Sequence, residues 1–392
     1  MQFNLSAEEQ AFEDEVVAFL EANRSPDVMD ENPEHLSQTV ETPAKRAFMR
    51  KLAEKGWLGM SWPKEYGGQE RSGIYDFILT EALSRYGCPQ PGKGVGIVGK
   101  TIIRHGNEEL KRYFLPRIIR GEIEFAIGYS EPQAGSDAAA MELKATRDDE
   151  RGGWVLSGHK IWTTSAHFAD WYWVGARTGP HKYKGITLFL VPMDHEGFEI
   201  HPTWTIGDER TNEVFFNEVF VPDSHVVGEV GEGWTYICEA LDLERFAMLP
   251  VGPVEMKLEG LVGHVREATL DGRPLAEDPV VRHEIATLAA ELEVARKLQR
   301  KVISEALKDR APTVEAAMYK LWQSRLGQKI ANAALDMMGP DAQLKPGEPE
   351  APVGGRFERS YRYTVVDTIG GGTSEVQKNI IARRGLGLPK NF

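Results

Sequence analysis

The spacing of apolar residues changes period twice along the chain, and the two changes divide it into three parts. Ser6 with Glu9 forms a capping box that predicts a helix start, and Phe12, Val16, Phe19 and Leu20 follow on one helical face. Helical patterns recur to about Arg120-Gly121-Glu122. From Phe125 to about Pro222 the texture is short runs of Val, Ile, Trp, Tyr, Phe and Thr, broken by Gly, Asp and Pro. Trp171-Tyr172-Trp173-Val174 and Ile186-Thr187-Leu188-Phe189-Leu190-Val191 read as strands of a β-domain. After Gly231-Glu232-Gly233 the helical period returns. Leu258, Leu261, Val262 and Val265 form one stripe, and Ile285, Leu288, Ala289 and Leu292 another. Lys345 to Pro352, rich in Pro, Gly and Glu, is a surface loop. The expected domains are helical over 1–123, β over 124–234 and helical over 235–392, an α+β chain without internal repeats.

Composition narrows the class. With 392 residues the chain exceeds the usual single-domain size, and 41% hydrophobic with 27% charged residues reads as globular. A net charge of -13 argues against nucleic acid and anionic membranes as partners, but not against an anionic cofactor held by local basic residues. Two cysteines, Cys88 and Cys238, are no disulfide framework, which fits a reducing cytosol. The acidic start lacks a basic-then-apolar leader and the Arg-rich character of a mitochondrial presequence. No apolar run approaches the ~20 residues of a membrane span, so a cytoplasmic location is expected.

Two segments carry candidate chemistry. The first, Tyr129-Ser130-Glu131-Pro132-Gln133-Ala134-Gly135-Ser136-Asp137, is a turn after an apolar run. Gly135 lets a backbone approach a ligand, and Ser130 and Ser136 offer hydroxyls. The second, His159-Lys160-Ile161-Trp162-Thr163-Thr164-Ser165, sets an indole beside two threonines at the end of a strand-like run. A flat aromatic wall beside a small donor suits a planar, hydrogen-bonding cofactor. Taken alone, strand-turn serines and buried tryptophans are equally ordinary core features.

Together the segments resemble the acyl-CoA dehydrogenase family, whose middle domain carries Thr/Ser-Glu-Pro-x-Ala-Gly-Ser-Asp and then Lys-x-Trp-x-Thr. The resemblance extends to Trp62-Pro63-Lys64-Glu65-Tyr66-Gly67-Gly68, to Phe220-Val221-Pro222-Asp223 and to Gly372-Thr373-Ser374-Glu375-Val376-Gln377. It implies two α-domains around a β-barrel-like domain, with a C-terminal four-helix bundle. It also implies FAD as cofactor, acyl-CoA as substrate and electron-transfer flavoprotein as electron acceptor. By motif, Tyr129, Ser130, Trp162 and Thr164 contact the flavin, with Thr164 at the N5 edge and Ser130 at the pyrimidine edge. Gly135 and Ser136 border the acyl-CoA, Asp242 and Arg245 are candidates for its CoA side, and Thr373 and Glu375 stand near the ADP half of the flavin.

Dehydrogenation between the α and β carbons of a thioester needs a carboxylate base, donors for the enolate-like oxygen and an acceptor for the β-hydride. Many family members carry the base as a glutamate just before Gly-Thr near the C-terminus. Here the matching position is Gly371, in Thr368-Ile369-Gly370-Gly371-Gly372-Thr373, so only its backbone N–H remains for the thioester oxygen. Leu241-Asp242-Leu243-Glu244-Arg245 is similar to isovaleryl-CoA dehydrogenase and other members that place the base in the first helix of the C-terminal domain, which assigns the role to Glu244. A base moved away from Gly371 opens space for a branched, cyclic or bulky acyl group, and Gly94, Gly96 and Gly99 point the same way.

The chain departs from the family where a neighbouring subunit's FAD is usually held. Of Arg-x-x-Phe-Gly only Arg273 survives, and Gln-x-x-Gly-Gly-x-Gly becomes Asp336 to Ala342. The glutamine position is now Asp336, unfavourable beside pyrophosphate. The expected assembly is therefore a homotetramer, a dimer of dimers, or a heterotetramer in which a non-identical subunit completes the site. An oxidase or flavin monooxygenase on the same fold is a further alternative; the acidic base at Glu244 argues against the monooxygenase, and oxygen consumption would test the oxidase.

Other signals mislead. Gly94-Val95-Gly96-Ile97-Val98-Gly99 has dinucleotide-loop spacing, but Tyr86 to Lys93 before it is a loop and not a strand. His159, His167, His195 and His201 lack paired metal spacing and read as surface residues, and no metal is expected. No G-x-S-x-G elbow supports a hydrolase.

Overall fold

The computed structural model of the chain describes residues 5–30, 33–34, 40–247, 250–270, 272–306 and 312–389, and the side chains of 242–247 lie outside the description. Helices occupy the first part: α1 (Ala7–Ala22), α2 (Pro43–Glu54), α3 (Gly73–Arg85), α4 (Gly99–His105) and α5 (Glu108–Ile119). The predicted capping box opens α1: Glu9 N–H donates to Ser6 Oγ at 3.3 Å and Ser6 N–H to Glu9 Oε2 at 2.6 Å. Phe12, Val16 and Leu20 are buried, and Phe19 packs edge-on against Trp57. The Gly94-to-Gly99 segment is a turn of π-helix over Gly94–Val98 leading into α4, and no strand precedes it among the described residues.

The middle part is one sheet in the order β6-β7-β3-β2-β4-β5-β8, with β1 added parallel to β4. Its strands are β1 (Phe125–Gly128), β2 (Lys144–Asp148), β3 (Gly153–Lys160), β4 (Trp171–Arg177), β5 (Ile186–Pro192), β6 (Phe198–Trp204), β7 (Arg210–Pro222) and β8 (Val226–Val227). Both predicted runs are strands, and they pair antiparallel, Trp173 opposite Leu190. Ile186 to Val191 is buried at every position, as a strand covered on both faces requires.

Helices return with α6 (Gly233–Ala247), α7 (Gly252–Glu267), α8 (Pro279–Ala306), α9 (Thr313–Met338), α10 (Arg356–Asp367) and α11 (Ser374–Ile380). Leu258, Leu261 and Val265 are buried as expected, as are Leu288 and Leu292, but Ala289 faces outward. Its small side chain fits the stripe by spacing yet brings little apolar area to the bundle. Among the described residues no helix is long and apolar enough to cross a membrane.

Three contacts hold these parts in register for the site. Helix α6 packs against the π-turn, β4 and β5, with Ile237 in one apolar cluster with Val98, Trp173 and Leu188. The β6–β7 hairpin reaches α10, where Gly207 lies against the Tyr363 backbone and Arg362 donates to the Ile206 carbonyl at 2.7 Å. Arg46 of α2 donates to the Phe168 carbonyl at 2.5 Å and to Asp170 at 3.0 Å, just ahead of β4.

Candidate active site

The two motif segments meet through a buried ion pair. Lys160, at the end of β3, donates to Glu131 at 2.7 Å and to the Tyr129 carbonyl at 3.2 Å, and its side chain is 0% exposed. Glu131 also accepts the backbone N–H groups of Glu142 and Leu143. Burial raises the Glu131 carboxyl, but Lys160 and these donors hold it below its ordinary value. Burial draws the Lys160 ammonium down to about 8 against the attraction of Glu131. Ile161 N–H then donates to the Ser130 carbonyl at 3.0 Å, closing the junction. Sequence reading missed this pair, because a lysine at a strand end is ordinarily a solvated residue.

Trp162 follows with φ +59, a left-handed backbone that a bulky residue rarely adopts, and its indole is 56% exposed. The neighbouring residue is clamped. Thr163 N–H donates to the Asn212 carbonyl at 3.0 Å, Asn212 Nδ2 donates back to the Thr163 carbonyl at 2.8 Å, and the Thr163 hydroxyl lies 2.7 Å from Tyr172 OH. Asn212, on β7 and fully buried, is a second residue that sequence reading missed; an asparagine inside an apolar strand is the signal that could have found it. Ser130 and Thr164 are half-buried, and neither hydroxyl makes a hydrogen bond among the described residues. Tyr129 accepts the indole N–H of Trp173 at 2.7 Å.

The Gly371 loop follows the end of α10. Gly371 has φ +65 and Gly372 φ +92, both left-handed. A Cβ placed on Gly371 meets nothing within 4 Å. Lys320 of α9 donates to the Gly372 carbonyl at 2.7 Å, and Gln377 donates to the carbonyls of Gly371 and Gly372 at 3.2 and 3.1 Å. Gln377 Oε1 is buried without a partner among the described residues. Thr373 caps α11 by accepting Val376 N–H at 3.2 Å, while Glu375 is exposed.

Helix α6 carries positions 242, 244 and 245, and the side chains of Asp242, Glu244 and Arg245 lie outside the described residues. Helical period places position 244 on the face of Ile237 and Ala240, both fully buried. Across from α6, the three π-turn glycines divide. Gly94 packs against Ile118 and Phe125, and a Cβ on Gly99 overlaps the Trp62 ring. Only Gly96 borders open space, where a Cβ would meet nothing within 4 Å. Two of the three glycines therefore serve helix packing.

Other predicted residues stand apart in this chain. Gly135 and Ser136 are exposed in a turn tethered by Lys182 to Asp137 at 2.7 Å. Arg273 is exposed on a two-stranded hairpin between α7 and α8, and Asp336 is exposed near the end of α9. His201 is exposed and His159, His167 and His195 are half-buried; His159 stacks on Phe215 at 4.1 Å, and its Nε2 is buried without a partner among the described residues. No cluster of metal-binding side chains occurs among the described residues. A cavity of about 670 Å³ between α1, α3, α7 and α8 is lined by Glu81, Glu255, Arg85 and Arg296. These two arginines are already paired with Glu255, so neither has a free charge to offer a ligand.

A partly open indole, two half-buried hydroxyls without partners among the described residues and an orphaned Gln377 oxygen are groups of the kind that fit a planar cofactor with hydrogen-bonding edges. Three family descriptions match in sequence: "Acyl-CoA dehydrogenase, N-terminal domain" over 6–122, "middle domain" over 126–219 and "C-terminal domain" over 231–386. The chain belongs to the acyl-CoA dehydrogenase family, is an FAD-dependent enzyme and acts in acyl-CoA dehydrogenation.

Among its curated relatives, acyl-CoA dehydrogenase FadE26 of Mycobacterium tuberculosis is 35% identical over 358 residues, covering 88% of each chain. Mitochondrial isovaleryl-CoA dehydrogenase of Solanum tuberosum is 29% identical over 385 residues, covering 96% of this chain and 90% of the relative. Two solved structures superpose with TM-score 0.89 over 100% of both chains. They are the "Tcur3481-Tcur3483 steroid ACAD" at 34% identity and the ChsE4-ChsE5 complex from Mycobacterium tuberculosis at 31%.

Proposed function

We propose that this chain oxidises a bulky, ring-bearing acyl-CoA to its 2-enoyl-CoA, with Glu244 as the base. The carrying observation is Gly371, where the commoner base position has no side chain and opens onto free space. Gly96 opens a second gap beside α6, the helix of Glu244. A similar structure titled a steroid ACAD supports the ring-bearing class.

In this reading FAD, held by Tyr129, Ser130, Trp162 and Thr164, supplies the acceptor for the hydride leaving the β carbon. Gly135 and Ser136 border the acyl-CoA, and Asp242 and Arg245 serve its CoA side. Glu244 takes the α-proton on its carboxylate. The Gly371 N–H donates to the thioester oxygen as negative charge gathers there. Lys320 and Gln377 hold the Gly371 loop still while this happens.

The test is a panel of acyl-CoAs assayed anaerobically for flavin bleaching, with Glu244→Gln alongside. Ring-bearing substrates should lead the panel. Glu244→Gln should lose the ~10²–10⁴-fold typical of a general base, with flavin content retained. Butyryl-CoA as the best substrate, or wild-type flavin reduction by Glu244→Gln, would sink the reading.

A mixed assembly is a second reading, favoured by the exposed Arg273 hairpin and Asp336 and by similar structures whose titles name two chains. In it, a non-identical subunit completes the ADP end of the site near Thr373 and Glu375. FAD per chain, measured alone and with candidate partner subunits, decides it. Full occupancy of the chain alone favours the homotetramer. Electron-transfer flavoprotein as acceptor and a cytoplasmic setting belong to the same proposal.

A further inference from the structure

Helix α4 with its π-turn, and helix α6, are joined at one end by a small latch of polar and aromatic side chains. His105, the last residue of α4, places its Nε2 2.8 Å from Glu239 Oε2 on α6. Close by on α6, the Tyr236 ring stacks on the His105 ring, with centroids 4.3 Å apart and planes at 27°. Tyr236 is itself fixed. Its hydroxyl accepts the Glu229 N–H at 3.2 Å. The Gly228 backbone lies against the ring, where a Cβ would overlap it. Just beyond α4, Asn107 donates to the Ser224 carbonyl at 3.2 Å. The corner after α4 is therefore tied both to α6 and to the segment after β7.

Elsewhere apolar side chains make the contact: Val98, Ile102 and Ile237 are buried in one cluster. Apolar contact is non-directional, so by itself it lets two helices shift against each other at small cost. A hydrogen bond with a ring stack has a defined distance and orientation, and fixes both. The course of α6 makes this matter. Its first residue, Gly233, lies against the Ile186 and Leu188 backbone of β5, so that end of the helix is occupied. The π-turn also packs against α6. At 1.5 Å per residue, Gly96 is roughly 13 Å back along the helix from His105. From Glu239 the forward half of α6 offers a similar length, and it carries position 244. The latch therefore stands at one end of the contact between these helices, and the position of Glu244 towards the other.

We infer that His105 is a positioning residue for the dehydrogenation: paired with Glu239 and stacked on Tyr236, it sets the separation of α4 and α6, and so how sharply the enzyme discriminates a ring-bearing from a straight acyl group. The inference rests on the reading above that α6 carries the base. His105 acts through α6 and takes no part in proton or hydride transfer. A partly exposed pair of this kind contributes little to stability, so its effect shows in the substrate ratio and not in the melting temperature.

The experiment compares cyclohexylpropanoyl-CoA with nonanoyl-CoA, which have equal numbers of acyl carbons. Both are measured on the FAD-loaded protein, with its partner subunit if occupancy requires one. Single-turnover flavin reduction gives a rate, and calorimetry gives a Kd. The wild type should favour the ring. His105→Ala should lower that preference by about threefold to tenfold, since a small shift made far from the chemistry is felt at the reacting atoms. His105→Gln, which keeps a donor for Glu239, should retain part of it. Glu239→Ala should match His105→Ala, and the double variant should lose no more than either single one. An unchanged ratio in His105→Ala, equal losses on both substrates that follow a fall in melting temperature, or additive losses in the double variant each overturns the inference. So does a wild type without preference in rate or Kd. A wild type that favours nonanoyl-CoA refutes the ring-bearing class, and the shift of that ratio in His105→Ala still decides the latch. If Glu244→Gln reduces the flavin at the wild-type rate, the base reading fails, and the Kd ratio decides the role of His105.

Discussion

Lys320 donates to the carbonyl of Gly372 at 2.7 Å from a side chain that is almost wholly buried among the C-terminal helices. Together with the two Gln377 bonds, it fixes the glycine loop. Three consecutive glycines, 370 to 372, have no side chains to pack, and two of them have left-handed φ. Replacing Lys320 by Met keeps most of the volume and removes the donor. Single-turnover flavin reduction should slow by about tenfold or more, since a misplaced donor is costly to catalysis. Thioester Kd should change much less. Equal losses in rate and affinity would mean that Lys320 acts on the fold alone.

The Lys160–Glu131 pair should behave as a buried ion pair. Lys160→Met leaves a buried carboxylate facing two backbone donors and no cation, and should cost roughly 3–5 kcal/mol in unfolding free energy. Glu131→Gln should cost similarly. The double variant should be more stable than the sum of the singles predicts, because the stranded charge is gone. Urea unfolding of the four proteins measures the coupling, and strict additivity would refute it.

Trp162 should trade stability against cofactor retention. Its φ of +59 costs about 1–2 kcal/mol, a strain that glycine would not carry. Trp162→Gly should therefore leave the flavin-free protein as stable or more stable by thermal unfolding, while flavin dissociation quickens. A variant that loses stability and keeps its flavin would contradict both halves.

Stability should fall as pH rises through neutrality. Burial pushes Glu81, Glu124 and Asp367 each up to about 7 from an ordinary value near 4. With folded values above unfolded ones, their contribution is fully present below about pH 4 and is lost as pH rises through about 7. Glu131, Asp208 and Asp223, whose values are lowered, act oppositely at the acid end. The melting temperature should peak at mildly acidic pH and be lower at pH 8. Glu81→Gln, in which Gln299 and the Val251 N–H keep an oxygen partner, should flatten the decline.

Much of this was legible in the sequence, and the failures have physical reasons. The capping box at Ser6, the strands at Trp171 and Ile186 and the buried stripe of α7 follow from local pattern, which needs no knowledge of distant contacts. Lys160 and Asn212 escaped because their roles are set by partners far along the chain, Glu131 and Thr163. Gly94 and Gly99 misled for the same reason. A missing side chain is visible in sequence, but whether it faces Phe125, Trp62 or open space is not. The roles of Glu244, Gly371 and Arg273 rest on resemblance, since composition and period say nothing of proton transfer.

Strand β7 joins matters that are far apart in sequence. Asn212, near its start, clamps the segment of Trp162, and the hairpin ahead of it grips α10 through Ile206 and Gly207. The same helix ends at the Gly371 loop. The Trp162 segment and the helix that leads to the Gly371 loop therefore hang on one strut, anchored within a few residues of each other. A one-residue slip between β6 and β7 would disengage the clamp and the grip in the same event. Damage of that kind yields a protein with no site at all, and half-assembled copies that bind cofactor without processing substrate should be rare.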